Sequence, residues 1–347
     1  SLSISATDHF ERARENIREF INAKSFNEVI FTSGATDSIN IIANALANKF
    51  KDGGEIIVSE LEHHSNYLPW LKICNKSKLD LKIIPIDKNG AIDEKQIIKN
   101  CTKDTKVLAI THMSNTTGQI IDLNLIRKSI PSDVLIAVDG CQSIAHCDID
   151  VQKMDCDFYS FSSHKIYGPS GVGILYGKEF LLDELEPTNV GGGMINQVNE
   201  NDFSYAMLPN KFEAGTPPIE AVVGFSAAID YVKSVNFKNF FEKEKNLRSD
   251  LIKALQDISN IEVYGSDSSL DASSIVSFNL LGHNYNDIAT FLDQYGIMIR
   301  GGHHCCQRFM KKLDIPGSCR ASFGIYNDLN DIDIFIDSLK KTIKLLQ

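Results

Sequence analysis

Short apolar runs alternate with longer segments of helical periodicity through the first two thirds of the chain. At the start, Phe10, Ala13, Ile17, Phe20 and Ile21 recur at helical spacing among charged residues, which predicts an amphipathic helix. Seven apolar runs then predict buried strands, at 29–31, 55–58, 81–85, 107–110, 134–138, 158–161 and 173–176. Buried strands separated by helices predict an α/β fold, with a mostly parallel sheet sandwiched by helices in a large domain.

The last third has a different pattern. Pro217 and Pro218 open a predicted long helix that continues through Val232, after which the composition becomes more charged. We therefore expect a large domain over residues 1–232 and a smaller C-terminal domain over 233–347. Within the smaller domain, the pattern predicts strands at 275–279 and 297–300, a helix at 286–295 and a terminal helix from Asp331, which is an α+β arrangement.

Composition and charge exclude several classes of protein. The 347 residues include 35 basic and 45 acidic side chains, for a net charge of -10, without a basic block that would bind nucleic acid. No apolar stretch is long enough for a membrane helix, and the eight cysteines form no C-x-x-C pair. We expect a cytoplasmic protein with free thiols and no nucleic-acid or membrane partner. Because residue 1 is serine, we also expect the chain to lack its original N-terminus.

The residues that directly follow the strands deserve the closest inspection, because ligands of parallel sheets bind at the carboxyl ends of strands. Ser162, His164 and Lys165 follow one such strand, and a lysine placed there can form a Schiff base while serine and histidine hold a phosphate. In isolation, the same segment also fits a loop lysine beside a helix-capping serine. Asp139 ends another strand, where it could keep a bound pyridine nitrogen protonated or simply cap the next helix.

Three further segments bring polar side chains to the same sheet edge. Thr36 lies in a hydroxyl-rich turn that opens a helix, where a phosphate can bind, although such residues are also ordinary caps. His63 and Asn115 offer an imidazole and an amide after two other strands. We predict no metal site, because adjacent histidines such as His63 and His64 cannot readily bind one ion together.

A candidate nucleophile lies in the segment from Arg300 to Cys306. Neighbouring imidazoles and Arg300 would favour the thiolate of Cys305, and two glycines would let its loop move, although a buried pair of small apolar residues is the alternative. Fifteen residues after Cys305, Arg320 stands in an apolar run, where it fits either a substrate carboxylate or a structural salt bridge.

Together these segments resemble fold-type I pyridoxal 5'-phosphate (PLP) enzymes of aminotransferase class V, and within them the SufS-like branch of cysteine desulfurases. The resemblance rests on Ser-x-His-Lys, on Asp-Gly-x-Gln, and on Arg-x-Gly-His-His-Cys followed fifteen residues later by arginine. It implies that Lys165 forms the Schiff base and that Cys305 and His63 are catalytic. The other implied roles are Asp139 at the pyridine nitrogen, Gln142 at the phenolic oxygen, His63 stacked on the ring, Thr36, Ser162 and His164 at the phosphate, Asn115 and Arg320 at the substrate carboxylate, and Arg300 at the entrance.

The resemblance also implies the reaction and the partners. L-cysteine would be converted to L-alanine while Cys305 keeps the sulfur as a persulfide, which a SufE-like or SufU-like acceptor protein would receive for iron–sulfur cluster assembly. Thr216 would complete the phosphate site of a neighbouring subunit, so a homodimer is expected. Cys306, where alanine is commoner, could carry sulfur or form a vicinal disulfide, but we expect it to be a bystander. The alternatives are a selenocysteine lyase, another class V lyase or transaminase, and a catalytically silent PLP-binding or sulfur-relay scaffold.

Overall fold

A seven-stranded sheet organises the first half of the chain in the computed structural model, which describes residues 1–235, 237–267 and 270–346. Its strands lie in the order β1-β7-β6-β5-β4-β2-β3, and only β7 is antiparallel to its neighbours. All seven predicted strands are present, so the predicted mostly parallel sheet is confirmed. Their bounds are Val29–Thr32 (β1), Gly54–Ser59 (β2), Leu79–Ile84 (β3), Thr105–Thr111 (β4), Leu135–Asp139 (β5), Phe158–Ser162 (β6) and Gly173–Gly177 (β7).

Helices cover both faces of this sheet. Alternate residues of the central strands enter two separate apolar clusters: Leu108 and Ile136 pack on the side of α1, α5 and α9, whereas Val107 and Ala137 pack on the side of α2, α3 and α8. Burial on both faces explains why the strands read as continuous apolar runs. The helices are Leu2–Phe20 (α1), Ala35–Lys49 (α2), His64–Cys74 (α3), Glu94–Asn100 (α4), Leu123–Ser129 (α5), Ser143–His146 (α6), Val151–Met154 (α7), Glu179–Glu184 (α8) and Ile219–Ser234 (α9).

The remaining elements form a hairpin and a second sheet. The hairpin pairs Ile195–Val198 (β8) with Phe203–Tyr205 (β9). The second sheet is antiparallel in the order β10-β11-β13-β12, with Ile261–Tyr264 (β10), Ile275–Leu280 (β11), Arg300–Gly302 (β12) and Ser318–Ser322 (β13). Its helices are Phe237–Gln256 (α10), Tyr285–Asp293 (α11), Gln307–Lys312 (α12) and Leu329–Leu346 (α13). The proposed domain boundary after Val232 falls in the last turn of α9 and stays a prediction.

One predicted strand is misplaced. The strand expected at 297–300 begins only at Arg300, because the chain turns at Gly296, whose φ is 75°, and residues 297–299 join no ladder. The strand β12 continues instead through Gly301 and Gly302, which pair with Cys319 and Ser318. The two glycines that were expected to let the loop move therefore belong to a strand.

Two glycines allow the start of α2 to approach the sheet. Gly173 pairs with Thr32 on one side and Ser162 on the other, and a Cβ atom added to it would lie 2.4 Å from the Cα atom of Gly34. Because neither residue has a side chain, the backbone at Gly34 packs directly on β7, and the amide of Ala35 donates a hydrogen bond to the hydroxyl oxygen of Ser162 at 2.8 Å. The first turn of α2 is thereby fixed beside the end of β6.

No helix in the described ranges combines the length and the apolar content that crossing a lipid bilayer requires.

Candidate active site

The carboxyl ends of five strands surround one cavity. Because β1, β2, β4, β5 and β6 run in the same direction, the residues that follow them meet at one edge of the sheet. The cavity there has a volume of about 190 Å³. Its lining includes ten of the twelve residues predicted from the sequence: Thr36, His63, Asn115, Asp139, Gln142, Ser162, His164, Lys165, Arg300 and Arg320. The two that do not line it are Cys305 and Thr216.

Lys165 reaches the cavity from a short 3-10 turn at Ser163–Lys165 that directly follows β6. Ser162 is buried and its hydroxyl oxygen already accepts the amide of Ala35, while the imidazole of His164 and the side chain of Lys165 are exposed to the cavity side of the turn. Burial, and then the positive charge of Lys165, lower the pKa of His164. The turn therefore presents one amine beside a neutral imidazole and a serine hydroxyl.

Asp139 supplies a buried carboxylate to the same cavity. Only 4% of the residue is exposed, and one carboxylate oxygen accepts the amide of Cys141 at 2.9 Å. Burial raises the pKa of Asp139, against the lowering effects of the Cys141 hydrogen bonds and the charge of Lys165. A protonated ring nitrogen beside this carboxylate would offset the cost of its burial, which is the environment that a pyridine cofactor requires. Gln142 lines the same cavity one turn further along.

His63 caps α3 and is held in one tautomer. Its Nδ1 atom accepts a hydrogen bond from the amide of Ser65 at 3.1 Å. Burial, followed by the positive charge of Lys165, lowers the pKa of His63 to about 4. The imidazole is therefore neutral near pH 7, and because Nδ1 is an acceptor, its proton lies on Nε2.

Two arginines face each other across β12 and β13 without a carboxylate between them. Arg300 and Arg320 are direct partners in the antiparallel register. The Nη1 atom of Arg320 donates to the carbonyl oxygen of Asn115 at 2.9 Å, whereas its buried Nε atom has no hydrogen-bond partner within the described residues. Burial and then the charge of Arg300 lower the pKa of Arg320 to about 10.

The alternative of a structural salt bridge for Arg320 is not supported, since no carboxylate forms an ion pair with it in the described ranges. Opposed like charges cost stability unless a ligand of opposite sign neutralises them. The pair is suited to bind an anion.

Cys305 lies on a loop at the mouth of the cavity rather than in its wall. Its half-buried Sγ atom is 4.0 Å from an Nη atom of Arg300, so a positive charge stands beside the sulfur. The imidazole of His304 does not add a second charge, because burial, followed by the charge of Arg320, lowers its pKa to about 3. Its Nε2 atom instead donates to the carbonyl oxygen of Ser318 at 3.0 Å.

Two hydrogen bonds hold the backbone of this loop, one from α3 and one from the segment that follows β4. The backbone amide of His64 donates to the carbonyl oxygen of Cys305 at 2.7 Å. The side-chain amide of Asn115 donates to the carbonyl oxygen of His304, also at 2.7 Å. His304 and Cys305 both have left-handed φ angles, 51° and 55°, which are unfavourable for residues with side chains. These contacts hold an unfavourable backbone that sets the direction of the Cys305 side chain.

Cys306 points away from the mouth. It is 1% exposed, and its Sγ atom lies 3.4 Å and 3.5 Å from the carbonyl oxygens of Leu61 and Glu62. Burial raises the pKa of its thiol far above the ordinary range. All eight cysteines are free, so there is no disulfide between Cys305 and Cys306. This geometry favours the expectation that Cys306 is a bystander.

Thr216 lies on a separate, exposed surface. It lines a second cavity with Ser33 and Asp37, and Lys165 is not part of that lining. The preceding segment is fixed because Glu213 makes a bidentate ion pair with the buried Arg14, at 2.7 Å and 3.0 Å. A role for Thr216 in the site of a neighbouring subunit stays a prediction.

Sequence reasoning overlooked three polar lining residues, Ser65, Thr111 and Cys141. Ser65 and Cys141 each lie two residues beyond a predicted site residue, and Thr111 is the last residue of β4. Those positions were the only available indication, and the contact between Ser65 and Thr36 joins two different helices. In the described part of the chain, no group of three or more His, Cys, Asp or Glu side chains is arranged to hold a metal ion.

Comparison with known proteins agrees with this geometry. Residues 1–335 match the family model described as aminotransferase class V. The chain belongs to that family. The class V chain is 42% identical over 344 residues to a probable cysteine desulfurase of Staphylococcus epidermidis, covering 99% of this chain and 83% of that protein. It is 41% identical over 351 residues to a cysteine desulfurase of Wigglesworthia glossinidia brevipalpis, covering 100% and 85%.

Solved structures of class V relatives have the same fold. The cysteine desulfurase CsdA of Escherichia coli superposes with a TM-score of 0.93 at 33% identity, over 98% of this chain and 85% of that chain. The apo cysteine desulfurase of Thermococcus onnurineus gives 0.95 at 35% identity, over 99% and 86%. The predictions of fold class and of homology to cysteine desulfurases are confirmed.

The Asn115 contact can be tested without substrate. We expect Asn115→Ala to increase amide hydrogen exchange at residues 303–306 by about fivefold, because one hydrogen bond worth about 1 kcal/mol is lost from the loop. The matched control is Asn100→Ala, which removes an exposed helix-surface contact. Unchanged exchange at 303–306 in Asn115→Ala would show that the amide does not hold the loop.

Proposed function

We propose that this protein is a PLP-dependent cysteine desulfurase of the SufS-like branch, which converts L-cysteine to L-alanine and keeps the sulfur on Cys305. The observation that carries the proposal is the position of Cys305 beside Arg300, at the mouth of a cavity that also contains Lys165 and Asp139. The homologues named cysteine desulfurase support the same reaction.

The donor set of the cavity fits PLP. Lys165 offers an amine, Asp139 a buried carboxylate for the ring nitrogen, and His63 a neutral imidazole to stack on the ring. The remaining cofactor residues would be Gln142 at the phenolic oxygen and Thr36, Ser162 and His164 at the phosphate. When bound, the cofactor supplies an electron sink that weakens bonds at the α-carbon of an amino acid.

The other residues of the chain would act on the substrate. Arg320 binds the substrate carboxylate, which gives its buried guanidinium the anion it lacks, and Asn115 assists with the amide hydrogen not used by His304. Arg300 lines the entrance between substrate and Cys305. Lys165 then moves the proton of the α-carbon.

Cys305 completes the sulfur transfer. The Cys305 thiol gives up its proton and its sulfur attacks the sulfur of the substrate, so that an S–S bond forms as the C–S bond breaks. The bonding electrons stay with the carbon skeleton, which takes up a proton in place of the one released and leaves as alanine. His63, whose Nδ1 atom accepts the amide of Ser65 and whose proton is therefore on Nε2, would donate a proton near the ring. The persulfide sulfur would then pass to a SufE-like or SufU-like acceptor protein that serves iron–sulfur cluster assembly.

The assembly is part of the proposal. Thr216 is exposed and lies outside the cavity of its own chain, which supports a homodimer in which it completes the phosphate site of the neighbouring subunit. We propose a cytoplasmic location because all eight cysteines are free thiols, as is usual in a reducing compartment.

A second class V reaction, such as that of a selenocysteine lyase, would use the same cavity. It would not need a thiol that receives sulfur. The placement of Cys305 next to Arg300, with its loop tied to Asn115 and His64, favours the desulfurase.

Alanine formation from L-cysteine tests the role of Cys305. With PLP and a thiol reductant, we expect the parent protein to release alanine and Cys305→Ala to lose at least about a hundredfold in rate. The other thiol of the cavity, that of Cys141, cannot replace it, because burial and the charge of Asp139 raise its pKa and keep it protonated. Cys306→Ala is the matched control, and it should retain activity since its sulfur is buried against residues 61 and 62. Equal rates for the parent and Cys305→Ala would favour a lyase, and alanine from neither would favour a silent scaffold.

The carboxylate role of Arg320 is tested by charge removal. Arg320→Gln should raise the KM for L-cysteine about a hundredfold, since a charge-assisted bond to a buried group is worth roughly 1.5–3 kcal/mol. Arg320→Lys should lose less because it keeps the charge. The pKa of about 10 means that the parent guanidinium is charged at the assay pH of 8. A KM unchanged in Arg320→Gln would exclude this residue from substrate binding.

A further inference from the structure

Ser65 contacts two of the predicted cofactor residues although nothing in the sequence singled it out. It lies in the first turn of α3 and lines the same cavity as Lys165. Its Oγ atom is 2.7 Å from the Oγ1 atom of Thr36, and its amide donates to Nδ1 of His63 at 3.1 Å. One residue therefore joins the start of α2 to the residue that caps α3.

The hydroxyl contact determines where the proton of Thr36 can point. A hydroxyl has one donor hydrogen and two acceptor lone pairs. If Ser65 donates to Thr36, the Thr36 proton is free to point into the cavity, and a hydroxyl that accepts one hydrogen bond donates a stronger one. A phosphate, which has several oxygens that accept hydrogen bonds, would accept the Thr36 proton and complete this series of hydrogen bonds.

The surroundings of Thr36 fit that acceptor. Thr36 is the second residue of the fifteen-residue helix α2, and it lines the cavity together with Ser162 and His164. Neither Thr36 nor Ser65 has a charged side chain as a hydrogen-bond partner in the described ranges. The hydroxyl pair therefore stays available for a ligand.

We infer that Ser65 is a positioning residue of the cofactor site, which orients the hydroxyl of Thr36 toward the phosphate of PLP while its amide fixes the ring of His63. The inference rests on the proposed function, since the phosphate is that of the proposed cofactor. The inference goes beyond the separate roles of Thr36 and His63 in one respect. The Ser65 hydroxyl must affect PLP binding only through the hydroxyl of Thr36.

Equilibrium titration of the cofactor-free full chain with PLP, followed by absorbance and protein fluorescence, tests that requirement without any turnover. Ser65→Ala should raise the Kd for PLP about fivefold, which corresponds to one neutral hydrogen bond. Thr36→Val should raise it by more. The double variant should bind like Thr36→Val alone, because the Ser65 hydroxyl then has nothing to orient.

Two further variants separate positioning from folding. Ser65→Thr keeps the hydroxyl and should restore the Kd to within about twofold of the parent, whereas Ser77→Ala, an exposed serine just after α3, should leave it unchanged. Thermal unfolding of the cofactor-free variants should be the same within the range of ordinary surface substitutions. A destabilised Ser65→Ala chain would be replaced in the comparison by Ser65→Cys, which keeps the size of the side chain but exchanges the hydroxyl for a weakly donating thiol and should raise the Kd in the same way.

Either of two results would overturn the inference. An unchanged Kd in Ser65→Ala would show that the hydroxyl contact is not used, and a full fivefold loss in the Thr36→Val background would show that Ser65 acts independently of Thr36. A parent chain that binds no PLP at all would overturn the proposed function itself and the inference with it, and is recognised because all variants then give the same flat titration.

Discussion

The parallel direction of five strands in the large sheet is the constraint on which the rest of the site depends. Because β1, β2, β4, β5 and β6 end at one edge, residues separated by more than a hundred positions in the chain surround a cavity of about 190 Å³. The close approach of Gly34 to Gly173 then fixes α2 beside β6. The second sheet adds only the two arginines and the thiol loop, but it adds them at the open side of that edge.

Several unfavourable features lie together at this edge of the sheet. Asp139 is a buried carboxylate whose pKa is raised, Arg320 is a buried guanidinium whose pKa is lowered, and Arg300 stands opposite Arg320. His304 and Cys305 add left-handed backbone angles. A ligand that has a basic ring nitrogen at one end and a carboxylate at the other would relieve the electrostatic part of this cost. Strain of this kind persists where function requires it.

Much of the large sheet and most of the site could be predicted from the sequence. Buried strands are continuous apolar runs, and polar residues such as Asp139 and Lys165 stand out at their ends because the surrounding residues are apolar. The edge of the smaller sheet was predicted less well, since β12 contains Gly301 and Gly302, which have no strand propensity and pair only because β13 lies beside them. Its position depends on tertiary contacts.

The contacts that hold the site were not predictable. The bond from Asn115 to the carbonyl oxygen of His304 and that from Ser65 to Thr36 join distant segments and leave no local pattern. The charge state of His304 also depends on burial, which the run of polar residues around it did not suggest. The types of residue in the site could be predicted from the ends of the strands. The hydrogen-bond partners of those residues could be identified only from the folded structure.

The central claim is that the cavity holds PLP on Lys165. Incubation of the purified protein with PLP, reduction with borohydride and peptide mass mapping tests it directly, since reduction makes the lysine linkage permanent. The account predicts that the mass of a phosphopyridoxyl group appears on the peptide that contains Lys165, and that Lys165→Ala abolishes that labelling. Labelling spread over surface lysines with none on Lys165 would contradict the account.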